Sequence, residues 1–393
     1  MNLRKRTRKI LPTLCLAALA FASLPACAAA PGGNSGSLRS DDGPATGEEK
    51  EGASVVVEEM SVREMVGQMF VVSVGGTEPD YYVEKVVRER NVGGVILFGH
   101  NMESEGQVEA LTGSLQELSL RTEPAVPLLV AVDQEGGQIA SAPWVAPQPA
   151  AAEVGRRGDP AEARAVAKRI GTELLWAGVN TNFAPVVDTG FGAAIGSRSY
   201  GEDPALVSRM GAASVEGFEE AGIASSAKHF PNHGPAVVDS HKGLPVVNHD
   251  ERTIESYDLG PFRAAIEAGA PMVMVGHLLY PAVDPQRPAS LSRRWMAVLR
   301  EELGFDGVVV TDDLAMAAAS GGGSPERAAV EAVKAGADLL IVSSPPQQQA
   351  DAYEAVVAAV ESGEIPEGRL RKSVRRLLDV KERYGFASRK CIR

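Results

Sequence analysis

The chemically capable residues of this chain fall in short polar clusters, each directly after an apolar run. Leu128–Val132 leads into Asp133-Gln134-Glu135-Gly136-Gly137, and Ala224–Ala227 leads into Lys228-His229-Phe230-Pro231-Asn232-His233-Gly234. Met272–Gly276 ends in His277, and Val308–Val310 ends in Thr311-Asp312-Asp313. Carboxylates, imidazoles and an ammonium group suit covalent attack, proton transfer and the grip of a hydroxyl-rich ligand. A plain hydrophobic core needs none of them, and the repeated placement says more than any one residue. The pattern predicts an acidic, histidine-containing site for an uncharged polar ligand such as a sugar. His229 and His233 are four apart, the spacing of a helical zinc pair. Pro231 and Gly234 argue against a helix there and no third ligand is evident, so no metal is expected.

These clusters need a scaffold that brings strand ends together. Eight runs read as strands: Met69–Gly76, Val92–Gly99, Leu128–Asp133, Val179–Asp188, Ala224–Pro231, Pro271–His277, Gly307–Asp312 and Asp338–Ser343. Each is nearly continuous in apolar residues without strict alternation, as in parallel strands covered on both faces. Helix signals lie between them. Ser61-Val62-Arg63-Glu64 is a capping box, and Asp159-Pro160, Asp203-Pro204 and Ser324-Pro325 each offer an N-cap followed by proline. Gly222 and Gly336 stand where helices should end. Trp295, Val298, Leu299 and Leu303 recur at helical spacing, and a basic amphipathic helix is predicted from Pro366 to about Tyr384. Eight strands alternating with helices predict an α/β fold, a (β/α)8 barrel of TIM type forming a single domain over residues 58–388, with order beginning near Met60. Catalytic groups then belong at the C-terminal ends of the strands.

The chain has 393 residues and a net charge of −12, which disfavours nucleic acid and anionic lipid as partners. Residues 1–27 read as a secretory signal: a basic start at Arg4, Lys5, Arg6, Arg8 and Lys9, then an apolar stretch from Ile10 to about Leu24. Leu24-Pro25-Ala26-Cys27 resembles a bacterial lipobox, so a lipid anchor at Cys27 is the expected membrane contact. Cleavage near Ala28 to Ala30 would instead give a free secreted protein. Residues 28–57 read as a flexible linker, with a reach of roughly 30 Å. Cys15, Cys27 and Cys391 are the three cysteines, so no disulfide framework is expected.

Five motifs occur in order: Val92-Gly93-Gly94-Val95-Ile96-Leu97-Phe98, Asp133-Gln134-Glu135-Gly136-Gly137, Lys228-His229-Phe230-Pro231-Asn232-His233-Gly234, Asp239-Ser240-His241 and Phe305-Asp306-Gly307-Val308-Val309-Val310-Thr311-Asp312-Asp313-Leu314-Ala315-Met316. Together, over about Met60 to Tyr384, they resemble the catalytic domain of family-3 glycoside hydrolases, in the β-N-acetylglucosaminidase (β-N-acetylhexosaminidase) branch. The resemblance implies an exo-acting, retaining hydrolase of terminal β-N-acetylglucosamine on peptidoglycan fragments or chitooligosaccharides. Asp312 is then the nucleophile that forms a glycosyl-enzyme. His241, paired with Asp239, is the acid/base on a mobile loop. Asp133, Arg198, Lys228 and His229 hold the sugar. No cofactor is implied.

The residues leave alternatives open. Asp312 or Asp313 could merely cap the next helix. Lys228 and Asp133 could form a buried ion pair, and Arg198 a surface salt bridge. His233 is expected to brace the loop and His277 to line the floor of the site, whereas His100 and His249 carry no special signal. Gln138, Ala140 and Ser141 stand where many relatives carry arginines, and Asn232 stands where glycine is more common. A phosphorylase of the same sugar, a β-glucosidase and a non-catalytic sugar-binding lipoprotein are the competing functions.

Overall fold

The computed structural model describes residues 56–320 and 324–386. The signal, almost all of the expected linker and all three cysteines lie outside the described residues. Val56–Glu59 is already helical and Val57 is fully buried, so folded chain is present a turn before Met60.

Eight parallel strands form the main sheet: β1 (Phe70–Ser73), β2 (Gly94–Ile96), β3 (Leu129–Val132), β4 (Thr181–Asn182), β5 (Ala224–Phe230), β6 (Met272–Val275), β7 (Val308–Thr311) and β8 (Leu340–Val342). They run in the order β8-β1-β2-β3-β4-β5-β6-β7. A parallel bridge between Val310 and Leu339, with Thr311 N donating to Leu339 O at 2.9 Å, joins β7 back to β8. The result is a (β/α)8 barrel, and each of the eight apolar runs contains one of its strands. Nearly every strand residue is buried, which is why the runs lack alternation.

Most of the helix signals act as their chemistry predicts; Ser324 precedes its helix without a side-chain cap, and Gly336 ends that helix at φ 137°, outside the usual left-handed cap. Ser61 Oγ accepts from Glu64 N at 3.3 Å while Glu64 Oε2 accepts from Ser61 N at 2.7 Å. Asp159 and Asp203 each cap the amide two residues on, at 3.0 Å. Gly222 ends its helix in the left-handed region at φ 80°. The spacing of Trp295 and Leu299 does bury both, but the helix Arg293–Ala297 widens into a π turn over Val298–Glu302. The last helix, Glu367–Arg383, sets Lys381 fully inside the protein. Its ammonium donates to Gln68 Oε1 at 2.8 Å, and burial lowers its pKa to about 7.

Strand β4 is the shortest and most polar. Asn180 Oδ1 accepts from Val130 N at 2.8 Å and its Nδ2 donates to Leu128 O at 2.9 Å. Asn182 does the same for the Gln134 N and O, at 3.0 and 2.9 Å. Side-chain amides thus satisfy backbone groups that a longer strand would have paired.

Candidate active site

Strand β7 delivers Asp312 at its C-terminal end. The Asp312 amide still belongs to the sheet, donating to Val275 O at 3.0 Å. Its Oδ1 accepts from Asp313 N at 2.8 Å, and the residue is half-buried. Burial acts to raise its pKa, but His229, His277, the Asp313 amide and Lys228 outweigh that and hold it below the usual range. His229 is itself driven towards neutrality by burial, so its own charge adds little at neutral pH. An ionised carboxylate is what a nucleophile requires.

Asp313 has a different task. Its Oδ1 accepts from Ala315 N and Ser343 N at 3.0 and 3.1 Å, and its Oδ2 binds the Ser343 hydroxyl. It therefore caps the turn after β7 and ties it to the end of β8. Under this corner lies His277, fully buried. His277 Nε2 is 2.9 Å from Asp313 O, which can only accept, so Nε2 carries the proton. Ser290 Oγ then donates to Nδ1 at 2.7 Å.

The wall of the site comes from β3, β5 and the loop after β4. Lys228 pairs with Asp133, and also with Glu135 Oε1 at 2.8 Å. Arg198 grips Glu135 with both Nε and Nη2, at 2.8 and 2.7 Å. Lys228 is 3% exposed, Glu135 7% and Asp133 32%, so Asp133 is the member open to a ligand. The Lys228–Asp133 ion pair is therefore real, and Arg198 forms a buried salt bridge rather than a surface one. Burial pushes the Glu135 pKa up, but Lys228 and Arg198 outweigh it and bring it to about 2.

His229 completes the wall. Its Nδ1 is 2.7 Å from Asp188 Oδ2, and its Nε2 is 3.4 Å from Arg198 Nη2. The buried carboxylate of Asp188 accepts the Nδ1 proton, leaving Nε2 as an acceptor. Asp188 also accepts from His229 N at 3.2 Å and His233 N at 2.6 Å. Burial pushes the Asp188 pKa up to about 6 and drives the His229 pKa well below its ordinary value. The rings of His229 and His233 face different partners: Asp188 and Arg198 for His229, and Ser240 for Nε2 of His233, whose Nδ1 has no partner among the described residues.

Asp239 and His241 stand apart from this cluster. Asp239 Oδ1 accepts from His241 N at 3.0 Å and lies 2.8 Å from its Nδ1. His241 is 69% exposed and, among the described residues, its ring bonds only to Asp239. Asp239 is held below its ordinary pKa, first by the His241 amide and then by its ring.

Three residues without an assigned role in the sequence prove to be built into the site. Glu135 lies two residues from Asp133, which in an extended segment points both carboxylates to one side. Asp188 ends its apolar run just as Asp133 and Asp312 end theirs. His249 is more than a bystander. Its Nδ1 is 2.8 Å from Asp258 Oδ2, and Asn232 Nδ2 donates to Asp258 Oδ1 at 2.7 Å. Asn232 Oδ1 in turn accepts from Thr189 N and Gly234 N at 3.0 and 2.9 Å, work a glycine could not do. His100 stacks on Phe98 with ring centroids 6.0 Å apart. Gln138 and Ala140 are exposed on the hairpin made by Gln134–Gly136 and Ile139–Ala140.

The family model for the glycosyl hydrolase family 3 N-terminal domain matches residues 61–380. Beta-hexosaminidase A of Pseudoalteromonas piscicida is 36% identical over 334 residues, covering 78% of this chain and 56% of the relative. Beta-hexosaminidase of Thiobacillus denitrificans is 39% identical over 279 residues, covering 68% and 76%. Among solved structures, a family 3 β-N-acetylglucosaminidase from a Paenibacillus species superposes with a TM-score of 0.82 at 42% identity, covering 83% of this chain and 63% of that one. A β-N-acetylhexosaminidase from Beutenbergia cavernae gives 0.76 at 32% identity, covering 82% and 99%. The chain thus spans only 56% of the first of these relatives and nearly all of the last. With its barrel, its strand-end carboxylates and this likeness over most of its length, the chain belongs to glycosyl hydrolase family 3.

Proposed function

We propose that the chain is an exo-acting, retaining β-N-acetylhexosaminidase that removes terminal β-N-acetylglucosamine. The observation that carries the reading is the place of Asp312 at the C-terminal end of β7, its Oδ1 accepting from Asp313 N at 2.8 Å and Lys228 near enough to lower its pKa. Asp133, Lys228, Arg198 and His229 present acceptors and donors to the hydroxyls of one sugar. Asp312 attacks the anomeric carbon as the bond to the leaving oxygen breaks, and the sugar becomes an ester of Asp312. His241, as imidazolium oriented by Asp239, gives its proton to the leaving oxygen. Neutral again, it takes a proton from water, which attacks the same carbon and releases the sugar and Asp312. The names of the relatives support the choice of N-acetylhexosamine.

The same reading makes peptidoglycan fragments or chitooligosaccharides the substrates, and places the enzyme outside the cell membrane, anchored through Cys27 or secreted. The leader-like start of the chain supports export, and the lipobox-like Leu24-Pro25-Ala26-Cys27 is the part of it that a lipid-labelling experiment tests.

The function is tested by chromophore release from aryl β-N-acetylglucosaminide, with the β-glucoside as control and with phosphate added in a separate arm. The reading expects activity on the N-acetyl substrate in water. Activity on the glucoside instead, or only with phosphate and with sugar-1-phosphate as product, would replace it by the β-glucosidase or the phosphorylase.

A further inference from the structure

The segment that carries Asp239 and His241 stands out from the barrel between Ala236 and Pro245. Val237 is 84% exposed, and Val238, His241, Lys242 and Leu244 are exposed with it. Ser240 is the exception, at 2%. Its hydroxyl lies 3.0 Å from Nε2 of His233, which is equally buried. Among the described residues this is the segment's one hydrogen bond to the barrel between Val237 and Leu244; the others, from Lys242 N and Gly243 N to Asp239 O, stay within it.

The two stems of the segment are held separately. On the entry side Gly192 N donates to Gly234 O at 2.7 Å and Ala193 N to Ala236 O at 3.0 Å. On the exit side Val247 N donates to Leu279 O and Leu279 N to Pro245 O, both at 2.9 Å. Asp258 clasps both stems at once, through Asn232 before the segment and His249 after it. Removing the Ser240 contact therefore frees the tip and leaves the stems in place.

The partner of Ser240 is part of the sugar wall. His233 N donates to Asp188 Oδ1 at 2.6 Å, and its ring meets the His229 ring edge-on, with centroids 5.9 Å apart. A side chain fixed to the wall thus holds the residue that sits between Asp239 and His241.

We propose that Ser240 is a peg and His233 its socket, and that together they seat the Asp239–His241 pair over the sugar wall, which makes both positioning residues for proton transfer. The inference rests on the reading of His241 as acid/base. Proton transfer depends steeply on where the imidazole sits, whereas attack by Asp312 comes from a strand end that this loop does not carry. Loss of the peg therefore penalises the step that needs the proton and spares the rest.

The test is kcat/KM on β-N-acetylglucosaminides that differ in their need for an acid. The dinitrophenyl glycoside leaves without protonation, and an alkyl or methoxyphenyl glycoside requires it. Ser240→Ala is expected to lower kcat/KM about tenfold for the poor leaving groups, the scale of one lost hydrogen bond, and to stay within about twofold of wild type on the dinitrophenyl substrate. Its melting temperature should be unchanged. His233→Gln, measured alongside, should show the same selectivity. His241→Ala serves as the reference, with the same selectivity at roughly 10²- to 10⁴-fold. If His241→Ala lacks the selectivity, the acid/base reading itself fails. If His241→Ala shows it while Ser240→Ala has no effect, or slows all substrates alike, the peg is overturned and the acid/base reading stands.

Discussion

Asp188 Oδ2 lies 2.7 Å from His229 Nδ1, so one buried carboxylate decides which nitrogen of His229 is left to face Arg198. Three N–H groups converge on that carboxylate, from the His229 ring and amide and from the His233 amide. It is a more demanding arrangement than a surface ion pair, because each donor would be stranded without it.

This relationship sets the acid limb of the pH profile. Burial raises the Asp188 pKa to about 6, whereas Asp312 is held below the ordinary carboxylate range. As pH falls through about 6, Asp188 takes up a proton and loosens its grip on His229 while the nucleophile is still ionised. The expected profile of kcat/KM falls off near pH 6 in wild type. Asp188→Asn is expected to lower kcat/KM by about 10- to 100-fold, by presenting a donor to the His229 ring, and to lose that limb. An acid limb that stays at pH 6 in the variant would assign it to another group.

Glu135 makes a prediction about stability. Its pKa of about 2 lies below the ordinary 4.5, so the carboxylate stabilises the fold above pH 4.5 and this contribution is lost as pH falls from 4.5 towards 2. The size is about 3 kcal/mol, comparable to breaking a buried pair. Glu135→Gln should unfold at lower denaturant concentration at pH 7 and show a shallower loss between pH 4.5 and 3 than wild type. Urea titrations at the two pH values read both effects.

Lys381 predicts a rise of stability with pH as well, at the other end of the scale. Burial lowers its pKa from 10.5 to about 7, so the unfolded chain binds the proton more tightly and wild-type stability rises as pH climbs from 7 towards 10.5. The slope is at most roughly 1.4 kcal/mol per pH unit. Lys381→Met removes it. The variant's stability relative to wild type should therefore decline steadily between pH 7 and 9, as read by urea midpoints. A constant difference over that range would mean that Lys381 is charged throughout.

The barrel was legible in the amino-acid sequence because parallel strands covered on both faces are nearly continuous in apolar residues, and because four of the runs led directly into polar clusters. Asp133, Lys228, His229 and Asp312 were legible for the second reason. Glu135 and Asp188 carried the same strand-end signal, but their roles were not read from it, because their partners, 63 and 41 residues away in the chain, were hidden. His249 was silent for the same reason: only the fold brings it to Asp258 beside Asn232. The two-residue length of β4 was equally hidden, because a run of apolar residues does not reveal that Asn180 and Asn182 will pair through their side chains.

The most direct test of the account is to trap the covalent intermediate. The protein is incubated with a fluorinated N-acetylglucosaminyl donor that is turned over slowly, and its intact mass and peptide map are recorded. The account predicts one added glycosyl unit, carried by the peptide that contains Asp312, and no adduct on Asp312→Ala. An adduct on another carboxylate, an adduct that persists in Asp312→Ala, or the absence of any adduct while the donor is consumed would contradict it.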